Sequence, residues 1–193
     1  MSDANGRPRL QTIITSTREK RGGLAVAKWF DDFAKKHAGF SAELIDLLHV
    51  GLPLVDEPNH PVQRKYEHAH TKAWSETVSA ADAFVFVVPE YNYGMPPALL
   101  NALDFLYHEW NYKPAAFVSY GGLSGGLRSV QMAKPVLTTL KMMPIPEAVA
   151  VPFFTKHVSE AGVFDPGDVL DKSATTMLDE LLRWTNALKT MRK

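Results

Sequence analysis

The sequence predicts an α/β protein with a doubly wound, five-stranded parallel sheet between two helical layers. Short runs rich in β-branched and aromatic residues alternate with longer segments whose apolar residues recur at helical spacing. One run, Ala83–Val88, is apolar throughout, as expected for a strand covered by helices on both faces of a sheet. No internal repeat or linker divides the sequence. We therefore expect residues 1–193 to form a single domain, with residues 1–8 as a flexible N-terminal tail.

Five strands are expected to alternate with helices along the chain. The strands are expected at Leu10–Thr15, Ala42–Leu47, Ala83–Val88, Ala115–Ser119 and Ala148–Val151. The first helix is indicated by apolar residues that share one helical face: Val26, Phe30, Phe33 and Ala34. Further helices are expected over residues 62–81, 96–109, 126–141 and 168–191. The stretch 51–61 contains three prolines and is predicted to be a loop.

Composition excludes several function classes. The 21 basic and 21 acidic residues cancel, so no net field would concentrate nucleic acid or an acidic membrane. Because the chain has no cysteine, disulfides, thiolate metal sites and thiol nucleophiles are excluded. The polar stretch Met1–Pro8 lacks the apolar core of a signal peptide, and no apolar run approaches the ~20 residues of a membrane span. We expect a cytoplasmic protein that binds neither nucleic acid nor membrane.

The loop after the first strand suits a phosphate group. Residues 15–23 have the sequence TSTREKRGG and lead directly into a helix. The hydroxyl of Ser16, the guanidinium groups of Arg18 and Arg21, and the free amides of a helix N-terminus all favour an anion. The loop lacks both the Gly-Lys-Ser/Thr ending of a Walker A loop and the GxGxxG pattern of a Rossmann site. The alternative is an ordinary helix cap with solvated charges.

Two more strands end in loops of unusual composition. Residues 89–98, PEYNYGMPPA, offer backbone groups and aromatic rings to a planar heteroaromatic ligand. Residues 119–128, SYGGLSGGLR, contain four glycines that leave the backbone open to close approach by a flat ligand. The alternatives are a β-to-α turn with surface tyrosines and a flexible loop. Because ligands bind outside the carboxyl ends of the strands in such sheets, the three loops together predict one binding site.

These loops resemble those of the NAD(P)H-dependent FMN reductase family, which includes azo, quinone and chromate reductases. The resemblance covers roughly residues 9–155 and is most specific in PEYNYGMPP and the following LLNALD, within residues 89–104. One departure is Thr15, where many relatives carry glycine. The resemblance implies a flavodoxin-like fold with strand order 2-1-3-4-5.

The resemblance also implies three groups of residues that bind FMN. The phosphate would be held by Ser16, Arg18, Arg21, Gly22, Gly23 and Leu24. The isoalloxazine would be lined by Pro89, Glu90, Tyr91, Asn92, Tyr93 and Gly94, with Asn92 and Tyr93 nearest the ring. Its opposite edge would contact Ser119, Tyr120, Gly121 and Gly122. No metal and no catalytic side chain are implied, because the flavin carries the chemistry.

The implied reaction passes a hydride from NADPH or NADH to FMN. The electrons then go by a ping-pong mechanism to a small-molecule acceptor, which is a quinone, an azo compound, a free flavin or a metal oxyanion. Arg128 is a candidate for stabilising the reduced flavin, and Glu90 either donates a proton or caps nearby amides. Two alternatives stay open: a flavodoxin-like electron carrier and a non-catalytic flavin-binding partner protein.

The helix expected after Pro97 predicts a homodimer. Its apolar residues are spread too widely for one helix face packed on one sheet, namely Leu103, Phe105, Leu106, Tyr107 and Trp110. A second burial surface would account for them, as in a homodimer, and the alternative is a helix packed deeply within a single chain. The family resemblance points the same way, and further assembly to a tetramer stays open.

Overall fold

The computed structural model describes residues 6–192, and its centre is a five-stranded parallel sheet. The strands are β1 Arg9–Ile14, β2 Ser41–Asp46, β3 Ala83–Pro89, β4 Pro114–Tyr120 and β5 Met143–Val151. Their order is β2-β1-β3-β4-β5, and every adjacent pair is parallel. The predicted doubly wound, flavodoxin-like architecture is confirmed.

Within the described residues, helices cover both faces of the sheet. They are α1 Gly23–Lys36, α2 Leu47–Val50, α3 Ala69–Ala80, α4 Pro97–Asp104, α5 Leu127–Thr139 and α6 Gly167–Lys189. Two short 3₁₀ segments lie at Pro61–Gln63 and Phe154–His157. Helices α1 and α6 pack on one face, and α3, α4 and α5 pack on the other. None of the helices in this range has the length and apolar character that a bilayer span requires.

The central strand β3 shows why its apolar run is unbroken. Val85 and Val87 belong to the core beneath α1 and α6. Phe84, Phe86 and Val88 belong to the core beneath α3, α4 and α5. Since alternate side chains of a strand point to opposite faces, a strand buried on both faces needs apolar residues at every position.

The helix predicted over residues 62–81 is shorter than expected. It begins at Ala69, after a 3₁₀ turn that ends at Arg64 with φ 53°. A left-handed residue cannot continue a right-handed helix, so the turn separates residues 62–68 from α3. The buried face of α3 consists of Thr71, Trp74 and Val78.

The helix predicted over residues 96–109 also ends early, at Asp104. Phe105, Leu106 and Trp110 follow it and are fully buried within this chain. The indole of Trp110 donates to the Leu103 carbonyl at 3.2 Å, which fixes the fold-back. The argument that these residues need a second burial surface was therefore wrong, because the chain buries them itself.

The N-terminal tail predicted over residues 1–8 lies mostly outside the described residues, which begin at Gly6. Pro8 is buried, and its carbonyl accepts a hydrogen bond of 2.9 Å from the amide of Ser41. The ordered sheet therefore starts at the end of the predicted tail.

Candidate functional site

Four loops meet at the carboxyl edge of the sheet and enclose a cavity of about 410 Å³. This volume lies within the range of about 300–1,000 Å³ typical of small-molecule sites. The lining residues are Ser16, Arg18, Lys20, Arg21 and Gly22 after β1, Pro89, Glu90 and Tyr91 after β3, Tyr120, Gly121 and Gly122 after β4, and Phe153, Phe154 and Thr155 after β5. The three loops singled out in the sequence thus contribute to one cavity, together with a fourth.

The first loop is anchored to the neighbouring strand. The amide and the hydroxyl of Thr15 both donate to the Val87 carbonyl, at 3.2 and 2.9 Å. The next residue, Ser16, is also buried, and its hydroxyl lies 2.6 Å from the hydroxyl of Tyr91. Thr15, the departure from the family pattern, therefore uses its hydroxyl to hold the loop to β3.

The N-terminus of α1 is open toward the cavity. Its N-cap is Gly22, no side chain caps the helix, and no acidic residue occupies its first turn. The start of a helix carries a partial positive charge, although the amides of Leu24 and Ala25 here already donate to the carbonyls of Arg21 and Gly22, at 3.4 and 3.2 Å. The exposed side chains of Arg18 and Lys20 belong to the same wall. This end of the cavity has the chemistry of an anion site.

Arg21 supports the loop. Its side chain is 5% exposed and forms an ion pair with Asp46. Its Nη1 also donates to the carbonyl of Arg18 at 3.1 Å. Among the described residues, its buried Nε has no hydrogen-bond partner. Arg21 therefore holds the backbone of the loop in place and keeps one donor unused.

Aromatic side chains pack directly on the two glycines that start α1. A Cβ on Gly22 would lie 2.5 Å from the ring of Phe154, and a Cβ on Gly23 would overlap the hydroxyl of Tyr120. Gly23 therefore serves close packing and does not line the cavity. Leu24, the last residue predicted to contact the phosphate, packs partly buried against the core beneath.

The loop after β3 turns sharply at Asn92 and Tyr93. Both have left-handed backbone conformations, with φ 50° and 66°. The amides and carbonyls of Tyr91 and Gly94 bond reciprocally across the turn, at 3.0 and 2.9 Å. Pro89 and the two residues after it line the cavity, whereas Asn92, Tyr93 and Gly94 lie beyond it.

The carboxylate of Glu90 links the loop after β3 (the second loop) to the loop after β4 (the third loop). It accepts hydrogen bonds from the hydroxyl of Ser124 at 2.7 Å, the amide of Arg128 at 3.2 Å and the guanidinium of Arg128 at 2.6 Å. Burial alone would raise the pKa of Glu90, but these hydrogen bonds outweigh it and lower the pKa below its ordinary value. Glu90 is therefore ionised at neutral pH. Of the two roles considered for it, the contacts support capping the first turn of α5.

The glycines of the third loop divide into two pairs. Gly121 and Gly122 line the cavity. Gly125 and Gly126 have φ 60° and 84°, and a Cβ on Gly126 would lie 2.8 Å from the amide nitrogen of Tyr120. This second pair therefore permits a left-handed turn packed tightly on the end of β4.

Ser119 and Tyr120 end β4 beside this loop. Ser119 is fully buried, does not line the cavity, and its hydroxyl has no partner among the described residues. Burial, and after it the neighbouring Tyr91, raise the pKa of Tyr120 above its ordinary value, so it keeps its proton at neutral pH.

Lys20 and the segment after β5 were not predicted as site residues. Phe153 is 46% exposed at the cavity, with φ 47°. The ring of Phe154 meets that of Tyr120 edge-on, with 5.0 Å between the centroids. The sequence signal was two adjacent phenylalanines directly after a strand. Within residues 6–192, no group of three or more His, Cys, Asp or Glu residues could hold a metal ion.

Comparison with known proteins decides the family. Residues 8–156 match the family described as NADPH-dependent FMN reductase. The chain belongs to this family. It is 42% identical over 161 residues to an NAD(P)H-dependent FMN reductase of Schizosaccharomyces pombe, covering 82% of this chain and 80% of the relative. It is 33% identical over 142 residues to an NADPH azoreductase of Bacillus sp. strain OY1-2, covering 72% and 74%.

A solved structure supports the fold of this FMN reductase. The flavoenzyme FerB, an NAD(P)H:acceptor oxidoreductase from Paracoccus denitrificans, superposes with a TM-score of 0.71 at 20% identity. The match covers 93% of this chain and 98% of FerB. Together, the family match and the relatives show that the protein is an oxidoreductase that uses FMN and NAD(P)H, as the sequence predicted.

Proposed function

We propose that this cavity binds FMN and that the enzyme carries electrons from NADPH or NADH to small-molecule acceptors by a ping-pong mechanism. The observation that carries the proposal is the uncapped N-terminus of α1, which opens into a cavity walled by Arg18 and Lys20. We place the FMN phosphate there, near Ser16 and Gly22 at the positive end of the helix. The unused Nε of Arg21 supplies a further donor.

Part of the cavity wall is bare backbone, which suits a flat ring. A Cβ on Gly122 would meet no atom within 4 Å, so the backbone there is open to close approach. Pro89 and Tyr91, at the end of the buried strand β3, line the same cavity, and the hydroxyl of Tyr91 reaches Ser16. We place the isoalloxazine between these two loops, with backbone groups along its edges.

FMN, when bound, would supply the chemistry of hydride and electron transfer between nicotinamide and the acceptor. The chain's residues bind and orient the reactants. Glu90 is ionised and has no proton to donate, and its carboxylate pairs with the guanidinium of Arg128. We therefore assign the stabilisation of negative charge to the backbone amides of the cavity and not to Arg128.

The acceptor is proposed to be a quinone or an azo compound. One relative is named an NADPH azoreductase and another a probable NADPH:quinone oxidoreductase. Both acceptor classes are flat and conjugated, which suits an open stacking site. Free flavins and metal oxyanions are further candidates for the same site.

Binding of FMN can be tested apart from turnover. We expect Arg18→Ala to weaken FMN about tenfold, measured by quenching of flavin fluorescence, because one charge-assisted contact to phosphate is lost. Riboflavin lacks the phosphate, so its affinity should not change. Lys28 is an exposed cation on α1 that lies outside the cavity. Lys28→Ala should therefore change the affinity for neither FMN nor riboflavin. Equal losses for FMN and riboflavin would contradict the placement of the phosphate.

Reduction by NADPH distinguishes an enzyme from the two alternative functions, an electron carrier and a non-catalytic flavin-binding protein. Anaerobic NADPH should bleach the absorbance of protein-bound FMN. A flavodoxin-like electron carrier or a non-catalytic flavin-binding partner protein would bind FMN and retain its colour. Initial rates at several fixed menadione concentrations should give parallel double-reciprocal lines, and intersecting lines would rule out one shared site.

We also propose that the protein is a homodimer. An apolar groove of about 410 Å³ lies between the loop after β2 and the start of α4. Leu54 on its rim is 83% exposed, and exposed apolar surface of this kind is typical of interfaces. Leu54→Glu should lower the mass found by light scattering, whereas Val169→Glu, at a residue 75% exposed on α6, should not. A tetramer and a cytoplasmic location stay predictions.

A further inference from the structure

Tyr93 combines a strained backbone with an exposed ring. Its φ of 66° is a conformation that L-residues with side chains disfavour, and it occupies a turn position where glycine is usual. Its side chain is 70% exposed, so burial does not offset the strain. Strained residues of this kind concentrate at functional sites, where the surrounding structure holds them in place.

The ring of Tyr93 is held from one side. The guanidinium carbon of Arg128 lies 3.8 Å from its ring centroid. Arg128 is fixed in turn by Glu90, whose side chain is 8% exposed and accepts its hydrogen bonds. The buried carboxylate of Glu90 thus holds Arg128, and Arg128 holds the ring of Tyr93 in solvent just beyond the cavity wall.

We propose that Tyr93 is a specificity-determining residue that stacks on flat electron acceptors, and that Arg128, anchored by Glu90, positions it. The inference rests on the proposed function. One face of the ring covers Arg128, and the exposed remainder is free for an aromatic partner. Its neighbours Glu90 and Tyr91 line the cavity, which places the exposed ring close to the cavity wall. Quinones and azo compounds can stack on tyrosine, whereas compact inorganic ions cannot.

The first test compares two acceptors. Menadione is flat and can stack, whereas ferricyanide is an octahedral ion that cannot. Tyr93→Asn removes the ring, and asparagine tolerates the left-handed φ of this position. It should lower kcat/KM for menadione about three- to tenfold relative to that for ferricyanide, the range expected for one aromatic contact. Tyr93→Phe keeps the ring and should restore the menadione preference.

A matched control is available at Tyr112, just before β4. Tyr112 also has a left-handed backbone, with φ 58°, and its ring lies 5.7 Å from the amine of Lys141. It lies at the other end of β4 from the cavity. Tyr112→Asn removes a strained tyrosine in the same way and should leave the ratio of the two acceptors unchanged.

The positioning role of Arg128 is tested by a double-mutant cycle. Arg128→Met should lower the menadione preference when Tyr93 is present. In the Tyr93→Asn background it should have no further effect, because Arg128 acts through the ring. Additive losses would show that Arg128 contacts the acceptor or cofactor directly, which would overturn this part of the proposal.

A binding measurement separates this inference from the proposed function. FMN affinity of the Tyr93→Asn apoprotein, followed by flavin fluorescence, should match that of the unmodified protein. A large loss would assign the ring to the cofactor, and a change in mass by light scattering would assign it to a subunit contact. Either result, or an unchanged acceptor ratio, would overturn the inference. If NADPH fails to bleach FMN in the unmodified protein, the proposed function itself fails.

Discussion

Gly126→Ala is expected to be among the most damaging single-methyl additions at the site. Gly126 has φ 84°, and an added Cβ would lie 2.8 Å from the amide nitrogen and 2.9 Å from the carbonyl oxygen of Tyr120. Holding alanine in the left-handed region costs about 1–2 kcal/mol. Forcing a methyl group against backbone atoms that cannot rotate away costs a further 1–3 kcal/mol or so. The total loss of unfolding free energy should therefore be about 2–5 kcal/mol.

Gly162→Ala provides the matched control. Gly162 has φ 76°, but a Cβ there would meet no atom within 4 Å. Only the backbone strain remains, so the expected loss is about 1–2 kcal/mol. Urea unfolding of the FMN-free proteins, followed by tryptophan fluorescence, should show Gly126→Ala to be the less stable by about 1–3 kcal/mol. Equal losses in the two variants would refute the argument from steric contact.

The same comparison tests how the third loop supports the cavity. Gly126 packs on Tyr120, whose hydroxyl meets Gly23 at the start of α1. Displacement of Tyr120 should therefore disturb the proposed phosphate end and weaken FMN binding. Gly162→Ala should leave FMN affinity as it is, since Gly162 lies outside the cavity lining.

Three further predictions concern charged groups. Burial, and after it the charge of Arg192, lower the pKa of Lys113 to about 7. Since the folded state then binds fewer protons than the unfolded state, the free energy of unfolding should rise between pH 7 and about 10, by up to about 4 kcal/mol. Urea midpoints should show this rise, and Lys113→Met should abolish it. The lowered pKa of Glu90 gives stability that is present above its unfolded pKa and lost on acidification through its folded pKa, so Glu90→Gln should show a smaller fall in Tm at low pH. Asp46→Asn leaves the buried charge of Arg21 without its partner and should destabilise the protein by about 3 kcal/mol in the same urea assay, and no change would mean that the pair adds nothing.

The sheet could be predicted from sequence because its pattern is local and repeated. The run Ala83–Val88 is apolar at every position, and the structure buries all of β3. The errors lie where the chain leaves regular structure. Hydrophobic spacing could not show that the chain folds back after Asp104, because the bend is accompanied by contacts between residues outside the helix, such as that of the Trp110 indole with the Leu103 carbonyl. From spacing alone, these apolar residues predict a second burial surface that the folded chain does not need.

The loops were recognised by composition, but the directions of their side chains were not. Tyr91 and Tyr93 are equivalent in the sequence pattern, yet Tyr91 lines the cavity and Tyr93 points into solvent. The difference arises from a tight turn in which neither central residue is glycine, so the usual sequence signal of such a turn is missing. Arg21 is a similar case, because its partner Asp46 comes from the end of a different strand.

The sequence does not predict that Phe153 and Phe154, after β5, belong to the site. Contacts at Gly22 and Gly23, at the start of α1, explain why. Two phenylalanines after a strand indicate core, and two glycines before a helix indicate a flexible start. In the structure, Phe154 packs on Gly22, and Tyr120 at the end of β4 packs on Gly23. Glycine here provides space for aromatic rings beside the first-turn amides of α1. The proposed phosphate end and the aromatic wall are therefore specified together, so a side chain larger than hydrogen at Gly22 or Gly23 should disrupt both.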